Sequence, residues 1–216
     1  MNAKDLILVG GGGHCKSVID IAESTGYSIK GILDLPTQIG KSVLGYPIIG
    51  SDEQISNFIT QAAFVVTVGH IKNPTLRIHL HQKIIAAGGK LATLIADTAH
   101  VSKHAVVGEG TVIMHKAVVN ADARIGKGCI INTLANIEHD TVIEDFCHIS
   151  TGAMINGNCH VGAGTFLGSQ SVMVNGTTIT AGSVIAAGSM VRKSLKRPGI
   201  YAGNPAILMI KQQIED

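Results

Sequence analysis

Every sixth residue from Ile95 onward dictates what the C-terminal half of this chain can fold into. Ile95, Val101, Val107, Ile113, Val119, Ile125, Ile131, Ile137, Ile143, Ile149, Ile155, Val161, Leu167, Met173, Ile179, Ile185 and Val191 are all aliphatic or Met, with no insertion between them. Four residues after each, from Ala99 to Ser189, stands Ala, Thr, Cys or Ser, as at Ala117, Cys129, Ala135, Thr165 and Ser183. An α-helix repeats every 3.6 residues and a strand every 2, so neither yields this register. A coil of three short flat strands does, because each side needs one bulky and one small inward residue. Such a coil takes about eighteen residues, so the repeat makes about five coils stacked at ~4.8 Å. Ile113, Ile131, Ile149, Leu167 and Ile185 then form one internal ladder.

The cysteines fit this frame. Cys129, Cys147 and Cys159 fall on the small inward position and read as buried packing residues. With Cys15 they make four, without C-x-x-C spacing, so disulfides are not expected and a reducing compartment is. Seventeen Lys plus Arg against fifteen Asp plus Glu give a net charge of +2, and no basic run forms a footprint for nucleic acid. The apolar run in MNAKDLILVGGGGH is too short to span a bilayer and ends in glycines, so it reads as a first strand, and a soluble cytoplasmic protein is expected without a membrane partner.

Residues 92–191 resemble the hexapeptide-repeat acyltransferase superfamily, whose members are left-handed parallel β-helices. The resemblance implies a homotrimer with acyl-CoA in the groove between subunits. A solenoid must cap its ends. One end is expected to be covered by the N-terminal domain, the other by the tail, whose NPAILMIKQQI stretch reads as a short C-terminal helix.

Residues 1–91 alternate strand and helix: strand 5–9, helix 14–24, strand 28–33, a turn, strand 64–68 and helix 74–87. That order predicts a small doubly wound, Rossmann-like α/β domain, leaving 92–216 for the β-helix and its tail. Gly10, Gly11, Gly12, Gly13 and His14 lie between first strand and first helix, where backbone N–H groups can hold a phosphate. The dinucleotide fingerprint is only partly met, since its third glycine falls at Cys15 or Lys16. Asp34 ends the second strand and is placed to accept a ribose hydroxyl, unless it is an ordinary turn residue. Gly69 ends a later strand, on the side where open sheets bind ligands. One nucleotide diphosphate fits this domain better than a dinucleotide.

Taken together, GGGGH at 10–14, LD at 33–34, VGH at 68–70, NTLANIEHD at 132–140, CHIS at 147–150 and AGNPA at 202–206 are similar to the bacterial sialic acid O-acetyltransferase and UDP-4-amino-sugar N-acetyltransferase family, known from the bacillosamine pathway. The resemblance implies that the N-terminal domain binds the nucleotide of the sugar and the β-helix binds acetyl-CoA.

Acetyl transfer needs a base for the nucleophile's proton, and histidine suits that task at neutral pH. Of ten histidines, His139 stands out, two residues past the inward Ile137 and flanked by Glu138 and Asp140, either of which can orient it. Without the resemblance, such a residue is more often a solvated polar face than a catalyst. The resemblance makes it the catalytic base, with Asp140 as its partner. It also places His148 near the acetyl group or pantetheine arm, with a polar corner as the alternative. Nine residues apart, the two are half a coil round the prism, so adjacent subunits are needed to bring them together. Asn132 orients sugar or cofactor, or else forms an internal ladder. Gly157, Ser169 and Ala187 leave backbone open to acetyl-CoA, and Lys193, Lys196 and Arg197 are either placed for its 3′-phosphate or form a solubilising edge.

The expected activity is N-acetylation of the 4-amino group of a UDP-linked amino sugar. O-acetylation of a sialic-acid-type sugar is the close alternative, and a non-catalytic nucleotide-sugar-binding protein the distant one. A zinc carbonic anhydrase on the same prism would need H-x-x-x-x-H spacing around His139, His148 and His160, which is missing, so no metal is expected.

Overall fold

The structure, a computed structural model, describes residues 4–209. The chain begins with β1 (Lys4–Val9), α1 (Gly13–Ser24) and β2 (Tyr27–Leu33), continues through β3 (Ser42–Val43), β4 (Tyr46–Gly50) and β5 (Ala63–Val66), and reaches α2 (Thr75–Ala86). The sheet order is β3-β4-β2-β1-β5, parallel except for the edge pair β3 and β4. The sequence predicts three of these strands and both helices. It missed β3 and β4 because their hairpin turns on Leu44 and Gly45, at φ 49° and 87°. Two left-handed residues are what a tight hairpin turn requires, but Leu-Gly lacks the Asn-Gly signature that announces one.

From Leu94 to Val191 the chain winds through two-residue strands into three parallel sheets, each strand pairing with its equivalent eighteen residues on, as Asn136 with Met154 and Ile137 with Ile155. The result is the left-handed parallel β-helix of the hexapeptide repeat. We name the sheets by one strand each: the His148–Ile149 sheet, the Asn136–Ile137 sheet and the Val142–Ile143 sheet. The inward ladder from Ile113 to Val191 is buried, and Ala117, Cys129, Cys147 and Thr165 fill the small positions. All four cysteines are free and buried.

The first rungs depart from the pattern. Ile95 is 36% exposed, because no coil lies beneath it to complete its layer. Instead the outward-facing Leu94, Ala96, Val112 and Met114 are buried against Cys15, Val18, Ile19 and Ala22 on α1. The N-terminal domain thus packs on the outer face of the His148–Ile149 sheet. A signal for this was present: Leu94, Val112 and Ile130 form an apolar series of period eighteen on the outward position.

The tail differs from expectation. Ile200–Ala202 continues the His148–Ile149 sheet, and Ile207–Leu208 folds back antiparallel on it, so the described part of the expected C-terminal helix is a turn and a strand. Gly199, Tyr201 and Gly203 supply main-chain partners to the last coil, which satisfies the open end of the prism as a helix would not. Residues 210–214 of that expected helix lie outside the described residues.

Candidate active site

At the carboxyl ends of β1, β2 and β5 the glycine loop is held from below. Gly10 has φ 108°, and a Cβ there would stand 2.5 Å from Val68 Cγ2, so glycine is required. Gly11 donates its N–H to Asp34 Oδ2 at 3.0 Å, while Leu35 N–H donates to Asp34 Oδ1 at 2.8 Å. Asp34 therefore clamps the loop to the end of β2, which is a tighter role than that of an ordinary turn residue. Gly12 caps α1 without any side chain assisting, and a Cβ on Gly12 or Gly13 would meet nothing within 4 Å. The amino end of α1 is left open to an anion. Beside it Asp34, Leu35, Asp52, Val68, Leu76 and Leu80 surround a cavity of about 210 Å³. A larger cleft of about 870 Å³, between Lys4 and Lys90, opens at the amino ends of the strands, away from the glycine loop.

His14, in the first turn of α1, faces into the junction between the two domains. Burial, with Arg77 and His148 adding to it, pushes its imidazole down to about 3. His70 is 8% exposed, pushed down to about 4 by burial and by His148, and neither ring nitrogen has a partner among the described residues. His148 donates from Nδ1 to the His70 carbonyl at 2.7 Å, and its ring meets those of His70 and Phe166 edge-on. A Cβ on Gly69 would stand 3.9 Å from His148 Cε1, an ordinary contact, so the packing at this junction does not itself demand glycine there. This is not the polar corner that the sequence offers as the alternative reading of His148. It is a half-buried strand residue at the domain junction, with Asn132 Nδ2 3.4 Å from its Nε2. Asn132 therefore faces the junction and is no internal ladder.

Beneath this cluster lies Arg77, the residue sequence reasoning missed. It is 1% exposed and has no carboxylate partner among the described residues. Nε donates to Gly128 O at 2.8 Å, and Nη1 to Val66 O at 2.7 Å and Val68 O at 2.9 Å. Burial pushes even this guanidinium down to about 10. One side chain thereby ties α2, the end of β5 and a corner of the β-helix together. No sequence signal marks it, since an Arg in an amphipathic helix ordinarily faces water.

His139 lies elsewhere. It occupies the corner between the Asn136–Ile137 and Val142–Ile143 sheets, exposed, with Nδ1 2.7 Å from Asp140 Oδ2. The hydrogen bond that Asp140 accepts from its ring raises the imidazole above its ordinary 6.5, with the negative charge of Asp140 and of Glu138 adding to it. The local fold makes the pair. Each coil passes this corner through a left-handed residue, Asp122, Asp140, Asn158 and Gly176 at φ 57–69°, and Asp and Asn tolerate that region. Glu138 is occupied elsewhere: Asn120 Nδ2 and Asn136 Nδ2 donate to its two oxygens at 2.9 and 3.0 Å. Asp140 is therefore the residue that orients His139.

The three residues expected along the cofactor groove do not share an edge within one chain. Ser169 and Ala187 lie on the corner between the His148–Ile149 and Asn136–Ile137 sheets, where Ser169 Oγ meets Ser150 Oγ at 3.0 Å. Gly157 lies on the other corner, under the His139 ring: a Cβ there would be 2.7 Å from Nε2 and from Cε1. Lys193 borders a cleft of about 480 Å³ with Arg192, Leu195 and Pro205 at the end of the prism. Among the described residues no group of three or more His, Cys, Asp or Glu is placed to hold a metal ion, and no helix is long and apolar enough to cross a membrane.

The fold is shared with known proteins. Residues 5–84 match the family described as the PglD N-terminal domain. A mutant perosamine N-acetyltransferase from Caulobacter crescentus, in complex with CoA and GDP-perosamine, is similar at 30% identity and a TM-score of 0.90, over 96% of this chain and 97% of that one. The acetyltransferase domain of PglB from Neisseria gonorrhoeae FA1090, in complex with acetyl coenzyme A, is similar at 32% identity and a TM-score of 0.89, over 96% of this chain and 100% of that one. WeeI from Acinetobacter baumannii AYE shares the fold at a TM-score of 0.85. A curated relative, uncharacterized protein L142 of Acanthamoeba polyphaga mimivirus, is 32% identical over 121 residues, and this chain spans 23% of its length. With one fold, one domain order and end-to-end coverage, the chain belongs to the hexapeptide-repeat family of sugar N-acetyltransferases that includes the Caulobacter enzyme and the PglB acetyltransferase domain.

Proposed function

We propose that this protein transfers the acetyl group of acetyl-CoA to the 4-amino group of a UDP-linked sugar, in the cytoplasm, for the biosynthesis of a surface glycan or glycoprotein. The observation that carries the proposal is the His139–Asp140 pair. With Nδ1 bound to Asp140, the ring presents Nε2 as its free lone pair on an exposed corner. The amine nitrogen attacks the thioester carbonyl carbon as Nε2 takes its proton. The carbon–sulfur bond then breaks, the amide forms, and the CoA thiolate leaves and is protonated to the thiol.

Placement of the substrates follows from the chain's own groups. Gly11, Gly12, Gly13 and the open start of α1 hold the diphosphate, and Asp34 keeps that loop in place. The cavity of about 210 Å³ beside Asp34 takes the base. CoA runs along the β-helix, with Gly157 under the reacting end and Ser169 and Ala187 on the second edge. In one chain the phosphate loop and His139 sit on different sides of the prism, so the reaction centre is built by two copies meeting, in a homotrimer with three such centres. The Caulobacter enzyme, which was crystallised with CoA and GDP-perosamine, supports the reaction class.

A thermal-shift panel of UDP-, GDP-, dTDP- and CMP-sugars, followed by an acetyl-CoA consumption assay, tests the proposal. Preferential stabilisation by UDP-sugars and turnover lost in His139→Ala are expected. Full turnover in that variant sinks the assignment of the base. Preference for CMP-sialic acid replaces N- by O-acetylation, and a monomer in sedimentation under assay conditions rules out the shared centre.

A further inference from the structure

A run of four glycines after β1 has more backbone freedom than a binding loop can use, and residues one place beyond three strands take it away. Gly10 follows β1, Asp34 follows β2 and Thr67 follows β5, and these strands lie side by side in the order β2-β1-β5. The main-chain ladder continues one step past the strands: Gly10 N–H donates to Leu33 O and Thr67 N–H to Val9 O, both at 2.8 Å. At the next step side chains take over from main chain. Gly11 N–H donates to Asp34 Oδ2 at 3.0 Å. On the opposite side the Thr67 hydroxyl donates to Gly10 O at 2.5 Å and to Val9 O at 3.0 Å, its one hydrogen shared between them. The Gly10–Gly11 peptide unit is thus held at both ends, its N–H from the β2 side and its carbonyl from the β5 side.

Thr67 is 1% exposed, Gly10 is buried, and among the described residues no other group donates to Gly10 O. Without the hydroxyl, Gly10 O is a buried acceptor that lacks a partner, which is costly. The donors left unpaired in the same loop are the N–H groups of Gly12 and Gly13, for which no main-chain acceptor exists among the described residues. A carbonyl that turns toward them competes with an anion for the same hydrogens.

We infer that Thr67 is a positioning residue for the nucleotide: its hydroxyl satisfies Gly10 O and so keeps the free N–H groups of the loop available to a diphosphate. The inference rests on the phosphate role given to the glycine loop under the proposed function. Thr67 carries no charge and lies under the loop, so it acts through the Gly10–Gly11 peptide and not on the ligand. Asp34 alone holds the N–H end of that peptide; Thr67 is what holds the other.

Two substitutions in the full-length protein separate the hydroxyl from the shape of the side chain. Thr67→Val keeps the shape and removes the hydroxyl, while Thr67→Ser keeps the hydroxyl; Thr67→Ala takes the place of the valine variant if that one does not fold. Hydrogen exchange is read on a peptic fragment covering residues 8–14, and binding of UDP and of acetyl-CoA is measured by titration calorimetry. In Thr67→Val the fragment is expected to exchange faster and Kd for UDP to rise roughly five- to tenfold, the worth of one neutral hydrogen bond, with Kd for acetyl-CoA unchanged. Thr67→Ser is expected to return both readouts to within about threefold of wild type. In turnover of a UDP-linked 4-amino sugar the loss falls on KM for that substrate and leaves kcat unchanged. A role limited to packing lowers Tm without separating UDP from acetyl-CoA, and that result overturns the inference. Equal losses in the valine and serine variants, or wild-type exchange and affinity in the valine variant, overturn it too. In each of these cases a wild-type protein that binds UDP and turns over the sugar nucleotide leaves the proposed function standing. Wild-type protein that binds neither UDP nor GDP sinks the phosphate role of the loop, and the inference with it.

Discussion

The His139 imidazole packs against Gly157, its equivalent on the next coil: a Cβ at 157 would stand 2.7 Å from both Nε2 and Cε1 of the ring. Gly157 has an ordinary backbone conformation, so the demand for glycine comes from the ring above it. Gly157→Ala is therefore expected to displace His139 while leaving the coil intact. Turnover should fall roughly ten- to a hundredfold, as misplacement of a catalytic group by about an ångström does, with a melting temperature close to wild type. Steady-state kinetics beside a thermal melt distinguish this from simple destabilisation.

Asp140 raises the His139 imidazole above 6.5 through its hydrogen bond to Nδ1. Only the unprotonated ring takes a proton, so kcat/KM should rise with pH through a midpoint above 6.5. In Asp140→Asn the carboxylate charge is gone but the left-handed turn is still tolerated. The acidic limb should then move to lower pH, with a reduced plateau. A limb that stays where it was means that Asp140 does not set the basicity of His139.

Arg77 satisfies three backbone carbonyls at 2.7–2.9 Å, from Val66, Val68 and Gly128. Arg77→Met leaves them buried without donors. The expected cost is about 3 kcal/mol, which for a chain of this length lowers Tm by roughly 6–12 °C in scanning calorimetry. Arg77→Lys should recover only part of this, because an ammonium does not reproduce the planar fork. Wild-type stability in the Met variant contradicts the role assigned to Arg77.

Four imidazoles are held well below 6.5 by burial: His14 and His81 at about 3, His70 and His148 at about 4. Their folded values are depressed, so the unfolded chain binds more protons between those values and 6.5. Stability is full above pH 6.5 and is lost progressively as pH falls from 6.5 toward 4. Denaturant melts at pH 7.5, 6 and 5 should therefore show a steadily falling midpoint. A midpoint that does not change over this range means that these rings are not buried neutral in solution.

Much of the site was legible because its signals are local. A period of six names the inward residues, GGGGH after an apolar strand names the loop, and a His next to an Asp at a corner names the pair. What stayed hidden depends on contacts across the domain junction. Arg77 looks like any helix-surface cation until Gly128 and Val66 surround it, and Glu138 looks as good a partner for His139 as Asp140 until two asparagines occupy it. Leu44-Gly45 turned a hairpin that lacked its usual residues. The described part of the tail, through Ile207–Leu208, became a strand because the last coil exposes unpaired backbone, which a strand satisfies.

The sequence by itself determined the β-helix, since only a triangular coil repeats inward residues every six positions, and it determined the Rossmann-like character of the first domain. The tertiary structure decided which face that domain covers, and with it that His148 meets His70 at the domain junction while His139 stands on another edge. The physical reason is that periodicity fixes the inside of a prism residue by residue, whereas its three outer faces are told apart only by what packs on them.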